Sequence, residues 1–426
     1  LSYGDVFEFS QTISWQDLRD RITTQPPVIP GWSARWIAND LGLGEGVSDS
    51  LYAGRVQPYA IYLPQGYDPA RATPLTWMIH SAQSQYGQYA ALNPRLAQKL
   101  CEDRGSICVT PNGYGGLASV KYVEKEFWQI WRQLASDFTL DPARTVVSGY
   151  SAGGVFAYRM PHTYPSVFAA AMPLAGGFEQ GCSSFGPEFG IGNFFPLDAH
   201  DRAANVRWVP QVVASSITDE LSQYPGILIQ GQRYEAAGDR DALFQMTSPE
   251  HIVTAIADGF AAVVDALPPD AQAPAAPRRI DYTWCPAAVD AAMGLGPTSV
   301  YWLSGLAQRD TSAADTLSRV VAESRAIADS QITPQVKDEL VNSSDTPPML
   351  LRRQEWMPGA PEPVENRIDL TLSNVAALTL DAAAAKLAFG VIAVQTDGAM
   401  TLTVTGLSSG ARSFSLPAGA SELSLP

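Results

Sequence analysis

The chain has 426 residues, 46% of them hydrophobic, with a net charge of −15 from 28 Lys and Arg against 43 Asp and Glu. That acidic balance argues against nucleic acid or an anionic membrane surface as partner, and no apolar run is long enough to cross a bilayer. The length exceeds one ordinary core and fits a large domain with a smaller companion.

Residues 1–56 read as an N-terminal extension packing on the large domain C-terminal to it. The chain starts at Leu rather than Met, and LSYGDVFEFSQ is not a signal peptide; a processed chain is expected, its export signal removed and its location extracellular. From residue 57 to 266, short apolar runs alternate with helix-length segments. Strands are expected at 58–64, 74–81, 106–113, 145–150, 168–177, 209–216 and 241–248, and helices at 84–100, 122–138, 152–164, 221–237 and 251–265. This alternation implies an α/β fold, a doubly wound, mostly parallel sheet covered on both faces. Residues 178–208, rich in Gly, Phe and Pro, break the rhythm as a lid-like insertion. The Pro/Ala stretch 267–278 reads as a linker. Beyond it, 279–426 carries short β-forming runs separated by turn residues, a β-rich, sandwich-like accessory domain.

The four cysteines are Cys101, Cys108, Cys182 and Cys285, with no C-x-x-C among them. Cys101 and Cys108 bracket a short helix-to-strand connection and form the expected disulfide, leaving Cys182 with Cys285.

Gly149-Tyr150-Ser151-Ala152-Gly153 spells G-x-S-x-G between a β-branched run and a helix-like stretch, the context of a nucleophile elbow. The glycines leave room for a tight strand-to-helix turn. The helix from Ala152 aims its unpaired N–H groups at the serine. A serine nucleophile needs a base, and the four histidines can be enumerated. His80 ends a strand, His162 lies three turns along the helix after Ser151, and His200 sits in the insertion. His251 follows the last strand, which suits the order Ser, Asp, His. Asp219 and Glu220 compete for the acid after strand 209–216; Asp219 comes first and is favoured. Asp239 and Asp241 read as a turn. The second oxyanion donor is expected in the loop after strand 74–81, from Ala82 or next Gln83, with His80 bracing that loop. Ala152 supplies the first donor. Substrate contacts are expected from Tyr150, Gln83, Tyr86 and Trp208, with further aromatics at Phe178, Phe185, Phe189, Phe194 and Phe195. Trp302 and Trp356 are stacking candidates in the β-rich region, against a reading as core residues.

With these pieces in place, residues 55–265 resemble secreted α/β-hydrolase serine esterases of the polyhydroxybutyrate-depolymerase and feruloyl-esterase kind, relatives of prolyl-oligopeptidase-like hydrolases. The resemblance rests on VQPYAIYLPQGYDPARATPLTWMIHSAQSQYGQYAALNPRL, LDPARTVVSGYSAGGVFAYRMPHTYPSVFAAAMPLAGG, NVRWVPQVVASSITDELSQYPG and SPEHIVTAIADGF. It implies a triad of Ser151, Asp219 and His251, an acyl-enzyme, no metal or other cofactor, and an ester substrate, polymeric or aromatic. This chain departs from the pattern in reading His80-Ser81 where H-G is usual, and in lacking H-G-x-x-D before the acid. A serine peptidase is the alternative within the same chemistry; a catalytically inactive polymer-binding protein is the alternative outside it.

Overall fold

Runs of β-branched and aromatic residues bounded by Gly, Pro and Asp become the strands of one large sheet. In the computed structural model, residues 16, 29–38, 56–82, 84–113, 121–176, 200–222, 224–247, 250–313, 316–343 and 346–425 are described. The first eight strands are β1 (Gly31–Ala38), β2 (Val56–Leu63), β3 (Thr73–Ile79), β4 (Ile107–Pro111), β5 (Leu140–Tyr150), β6 (Ala170–Leu174), β7 (Gln211–Ser216) and β8 (Asp241–Met246). They lie side by side in the order β1-β2-β4-β3-β5-β6-β7-β8. From β4 to β8 the strands run parallel, while β1 and β2 add an antiparallel edge. The helices are α1 (Gln88–Ala91), α2 (Pro94–Ala97), α3 (Lys121–Asp137), α4 (Ala152–Thr163), α5 (Tyr224–Ala237), α6 (His251–Ala257) and α7 (Ala261–Asp265).

Two cores fill the two faces. Along β3, Leu75, Trp77 and Ile79 pack with Phe127, Ile130 and Leu134 of α3, while Met78 turns to the opposite core with Leu100 and Cys101. This is the period of two that a pleated strand imposes. A disulfide joins Cys101 to Cys108, as expected. Cys285 is buried, and its expected partner Cys182 lies outside the described residues. So do the expected lid up to residue 199, with its five phenylalanines, and all of the N-terminal extension except Gln16, Ile29, Pro30, β1 and Val56.

Two expected helices are broken. The segment 84–100 divides into α1, α2 and a π turn over Gln98–Asp103, because Pro94 lacks an N–H and excludes Asn93 from helical geometry. The segment 251–265 divides at Asp258, which adopts a left-handed conformation with φ of 49° before Gly259.

The expected accessory domain also needs correction. Residues from its middle, β13 (Ser330–Ser343) and β14 (Thr346–Pro361), form a hairpin that joins the large sheet, making it ten-stranded. β14 pairs antiparallel with β8, Met349 opposite Met246 and Gln354 opposite Asp241. The physical reason is an edge: without the hairpin, β8 would present unpaired backbone. Met349 and Leu351 enter the core, Gln354 Nε2 donates to Asp239 O at 2.7 Å, and Trp356 Nε1 donates to Gly238 O at 2.8 Å. The new edge strand, β13, carries Lys337, Asp338 and Glu339, all exposed, a charged edge of the kind that resists further pairing.

The remaining strands build the expected sandwich. One sheet takes β9 (Arg279–Trp284), β12 (Ser318–Ser324), β15 (Arg367–Ser373), β17 (Gly390–Thr396) and β20 (Gly419–Leu425). The other takes β10 (Ser299–Val300), β11 (Leu303–Gln308), β16 (Val375–Asp381), β18 (Met400–Thr405) and β19 (Arg412–Leu416). Trp302 is buried in the core shared by the two sheets, not exposed for stacking. The expected linker is pinned rather than loose, since Ala273 N donates to Ala143 O at 2.8 Å. Tyr282 Oη donates to Thr163 O at 2.7 Å, and Asn205 Nδ2 donates to both Thr283 O and His162 O. The sandwich is therefore stitched to the α/β body. Among the described residues, no helix is long and apolar enough to cross a membrane.

Candidate active site

The turn from β5 into α4 carries the candidate nucleophile. Ser151 sits at φ 57° and ψ −118°, a conformation costly for a residue with a Cβ, and is held there by Ser151 N donating to Leu174 O at 2.9 Å. The surrounding glycines are a packing requirement. A Cβ on Gly149 would fall 2.2 Å from Gly153 O, and one on Gly153 would fall 2.0 Å from Ile79 O. Gly154 and Gly176 also pack against each other: a Cβ on Gly176 would fall 2.4 Å from Gly154 C, and one on Gly154 2.8 Å from Gly176 Cα. The N-terminus of α4 thus lies directly against the end of β3, beside the loop from His80 to Ala82.

The acid and the histidine come from the next two strand ends. Asp219 follows β7 and His251 opens α6 after β8; both are buried. His251 Nδ1 lies 2.8 Å from Asp219 Oδ2 and 3.0 Å from Oδ1. Leu221 N and Ser222 N also donate to Asp219 Oδ1, at 2.9 and 2.6 Å. These donors fix the carboxylate and the imidazole tautomer, leaving Nε2 for chemistry. Glu220 does something else: its Oε2 accepts from His251 N at 3.0 Å. One carboxylate orients the ring and its neighbour holds the backbone. Asp219→Asn is accordingly expected to lower kcat by about 10⁴-fold by stabilising the wrong tautomer. Glu220→Gln, which keeps an acceptor oxygen, should cost about tenfold or less. Steady-state ester hydrolysis checks both, and equal losses would refute the division of roles.

The other expected contacts separate. Tyr150 is buried against His251; its hydroxyl donates to His251 O at 2.6 Å, and its ring centroid lies 5.3 Å from that of His251. Burial pushes its pKa upward, so it stays a neutral donor bracing α6. Trp208 precedes β7 and therefore sits at the opposite end of the sheet. Its Nε1 donates to Arg279 O at 2.8 Å and its ring meets Trp356 edge-on, so it seals the join with the sandwich and the hairpin. Trp356 is half-buried in that join, beneath Arg207 and Arg240, instead of offering a free stacking face. Tyr86 is half-buried and lines a groove of about 450 Å³ with Trp32, Ser84, Gln85 and Leu92. Gln83 lies outside the described residues. Ala152 is buried at the first position of α4, and Ala82 is half-buried in the turn after His80. His162 is buried far along α4, its Nδ1 2.6 Å from Tyr158 O and its Nε2 3.2 Å from the Tyr234 hydroxyl.

Sequence reasoning missed the residue that shapes the loop after β3. Gln88 Oε1 accepts from both Ser81 N and Ser81 Oγ, at 2.7 and 2.8 Å. Its Nε2 lies 3.4 Å from Asn93 Oδ1, and Asn93 Nδ2 donates to Ala255 O on α6 at 2.7 Å. A polar side chain facing inward from a helix was the available signal.

No protein-family model matches the chain. Over 65 residues it is 38% identical to poly(3-hydroxyalkanoate) depolymerase C of Paucimonas lemoignei, a match spanning 15% of this chain and 14% of that protein. Among solved structures it is similar to a ferulic acid esterase, at 16% identity and a TM-score of 0.42, over 56% of this chain and 97% of the other. It is also similar to an S-formylglutathione hydrolase from Agrobacterium tumefaciens, at 14% identity and a TM-score of 0.40, over 57% and 99%. By its own strand order, by the elbow that carries Ser151, and by the placement of Asp219 and His251 after the following strands, the chain has an α/β-hydrolase fold.

Proposed function

We propose that the protein is a serine carboxylic-ester hydrolase working through an acyl-enzyme. The observation that carries this reading is the buried Asp219–His251 hydrogen bond after the ends of β7 and β8, at the same end of the sheet as the strand-to-helix turn that holds Ser151 at positive φ. Ser151 Oγ attacks the ester carbonyl carbon while His251 Nε2 takes its proton, and Asp219 stabilises the resulting imidazolium. The negative oxygen of the tetrahedral intermediate is met by the N–H groups of Ala152 and Ala82, the first aided by the α4 dipole. Collapse breaks the bond to the alkoxy oxygen, which leaves as the alcohol with the proton from His251. Water, deprotonated by the same nitrogen, then releases the carboxylic acid and restores Ser151.

For substrate, we favour a water-insoluble ester, a polyester or an aromatic-acid ester, met outside the cell. Its support is exposed apolar surface. On α6, His251 and Thr254 face inward while Ile252 and Ile256 remain 56% and 66% exposed, with Val253 beside them. Ile217 and Leu221 flank Asp219, and Leu92 precedes the Asn93 that bonds to α6; all three are exposed. Six exposed aliphatic side chains thus lie on three segments that carry or adjoin Asp219 and His251, exposure suited to meeting an apolar surface.

The test begins with a fluorophosphonate probe and peptide mass spectrometry, which should find the adduct on Ser151. p-Nitrophenyl esters of increasing acyl length should be turned over, and a peptide anilide far more slowly. An adduct elsewhere, or faster anilide cleavage, would sink the esterase reading. The double variant Ile252→Ser, Ile256→Ser should slow hydrolysis of a solid polyester film about tenfold, through lost apolar contact, while soluble esters are unaffected. Parallel loss on both substrates would remove the insoluble-substrate reading alone.

A further inference from the structure

Behind the loop after β3, two wholly buried ionisable side chains are joined through the backbone. His80 Nδ1 lies 2.8 Å from the carbonyl oxygen of Ser81, and His80 Nε2 lies 2.9 Å from that of Asn112. Both partners can only accept. A neutral imidazole has one N–H, so one of these contacts would set a bare ring lone pair against a carbonyl oxygen; the imidazolium donates at both. Glu126 on α3 supplies the countercharge. Its Oε1 accepts from Asn112 N at 3.1 Å and its Oε2 from Gly113 N at 3.0 Å, a pattern that suits a carboxylate with an N–H at each oxygen.

The connectivity is what links the two. Asn112 C=O and Gly113 N–H belong to one peptide unit, so His80 binds one end of it and Glu126 the other. On the far side of the ring, Ser81 C=O shares its peptide unit with Ala82 N–H, and trans geometry turns that N–H the opposite way from the carbonyl. We propose that His80 and Glu126 form a buried charged pair, bridged by the Asn112–Gly113 peptide, which positions and polarises the Ser81–Ala82 peptide so that Ala82 N–H serves as oxyanion donor. The donor role of Ala82 rests on the esterase reading above; the charged pair itself does not.

The surroundings hold this geometry. Asn112 Nδ2 donates to Gln57 Oε1 at 3.0 Å, and Ser81 is gripped by Gln88 from the other side. Gly113 has φ of 58°, and a Cβ there would lie 3.0 Å from His80 Nε2. Taken alone, each charge is disfavoured: burial outweighs the backbone hydrogen bonds to it, holding His80 below its ordinary range and Glu126 at about 8. The geometry favours the paired charges, because each neutral form would forfeit a contact already made.

The experiment is 15N NMR of the full chain labelled with [15N]histidine, together with kinetics. At pH 7 the His80 signal, assigned by its loss in His80→Gln, should report two protonated nitrogens. In Glu126→Gln it should report a neutral ring. The same variant should lower kcat for a p-nitrophenyl ester by about 10- to 100-fold with KM little changed, and weaken binding of a boronic acid by the same factor. A wild-type spectrum in which none of the four histidines reports two protonated nitrogens at pH 7 overturns the pair, and needs no variant to fold. A charged His80 with unchanged kcat in folded Glu126→Gln overturns the positioning role. In Ser151→Ala the His80 signature should persist; absence of ester turnover in the wild-type protein would strike the esterase reading, intact turnover in Ser151→Ala would strike the nucleophile assignment, and either leaves the NMR result standing.

Discussion

Replacing Ser151 with alanine is expected to lower kcat for a soluble p-nitrophenyl ester by about 10⁶-fold, the loss seen when the nucleophile of a serine hydrolase is removed. Alanine keeps the strained φ of 57° and deletes only the oxygen, and the serine side chain makes no capping hydrogen bond to α4. Stability should therefore change by less than about 1 kcal/mol. Glycine at the same place separates strain from chemistry. Ser151→Gly should be equally inactive but more stable by about 1 kcal/mol, because glycine adopts this backbone without steric cost. Steady-state kinetics and guanidinium unfolding of the three proteins decide the matter. Wild-type turnover in either variant would end Ser151's candidacy, and a glycine variant less stable than wild type would mean the turn is not strained.

Why the elbow was legible while other parts were not comes down to the range of the forces involved. Gly149 to Gly153 is specified by its immediate neighbours: a β-branched run, two glycines that tolerate close approach, and a helix. His251 was found because so few histidines exist and only one follows the last parallel strand. The choice between Asp219 and Glu220, by contrast, depends on which carboxylate faces the ring and which the backbone, and adjacent residues cannot declare that in sequence. Tyr150 was expected at the cleft because it touches Ser151 in sequence. As the last residue of β5 it belongs instead to the buried core that also holds Met172 and Phe260. Trp208 was misread for want of strand polarity: chemistry gathers after the C-terminal ends of parallel strands, and Trp208 lies before an N-terminal end. The β13–β14 hairpin was hidden because an edge strand is charged by necessity, and its partner β8 lies about a hundred residues earlier. Glu126 falls within the helix expected over 122–138, with nothing in the sequence to set it apart. Only the fold shows that it turns inward, toward the backbone of Asn112 and Gly113.

Gly153→Ala is expected to be the most destabilising single-methyl addition at the elbow, by more than about 4 kcal/mol, the range of a severe overpacking defect. The new Cβ would lie 2.0 Å from Ile79 O, 2.6 Å from Ile79 C and 2.7 Å from His80 O. All three are backbone atoms at the end of a central strand, so no side chain can swing aside to relieve the overlap. Relief would require α4 to lift from β3. Gly149 already approaches the Gly153 backbone, and Gly154 that of Gly176, so the shift would spread through the whole elbow. Gly87→Ala is the control: nothing lies within 4 Å of its added Cβ, and its φ of −81° suits any residue. It should change stability by less than about 1 kcal/mol. If Gly153→Ala unfolds at the same guanidinium concentration as wild type, the close approach of α4 to β3 is wrong. Should a folded fraction survive, its activity is informative too. Under the proposed mechanism, lifting α4 moves Ala152 N–H away from Ala82 N–H, so the two proposed oxyanion donors would separate, and kcat should fall further than the unfolded fraction explains. Elbow packing and oxyanion geometry are then one constraint, set by the same glycine.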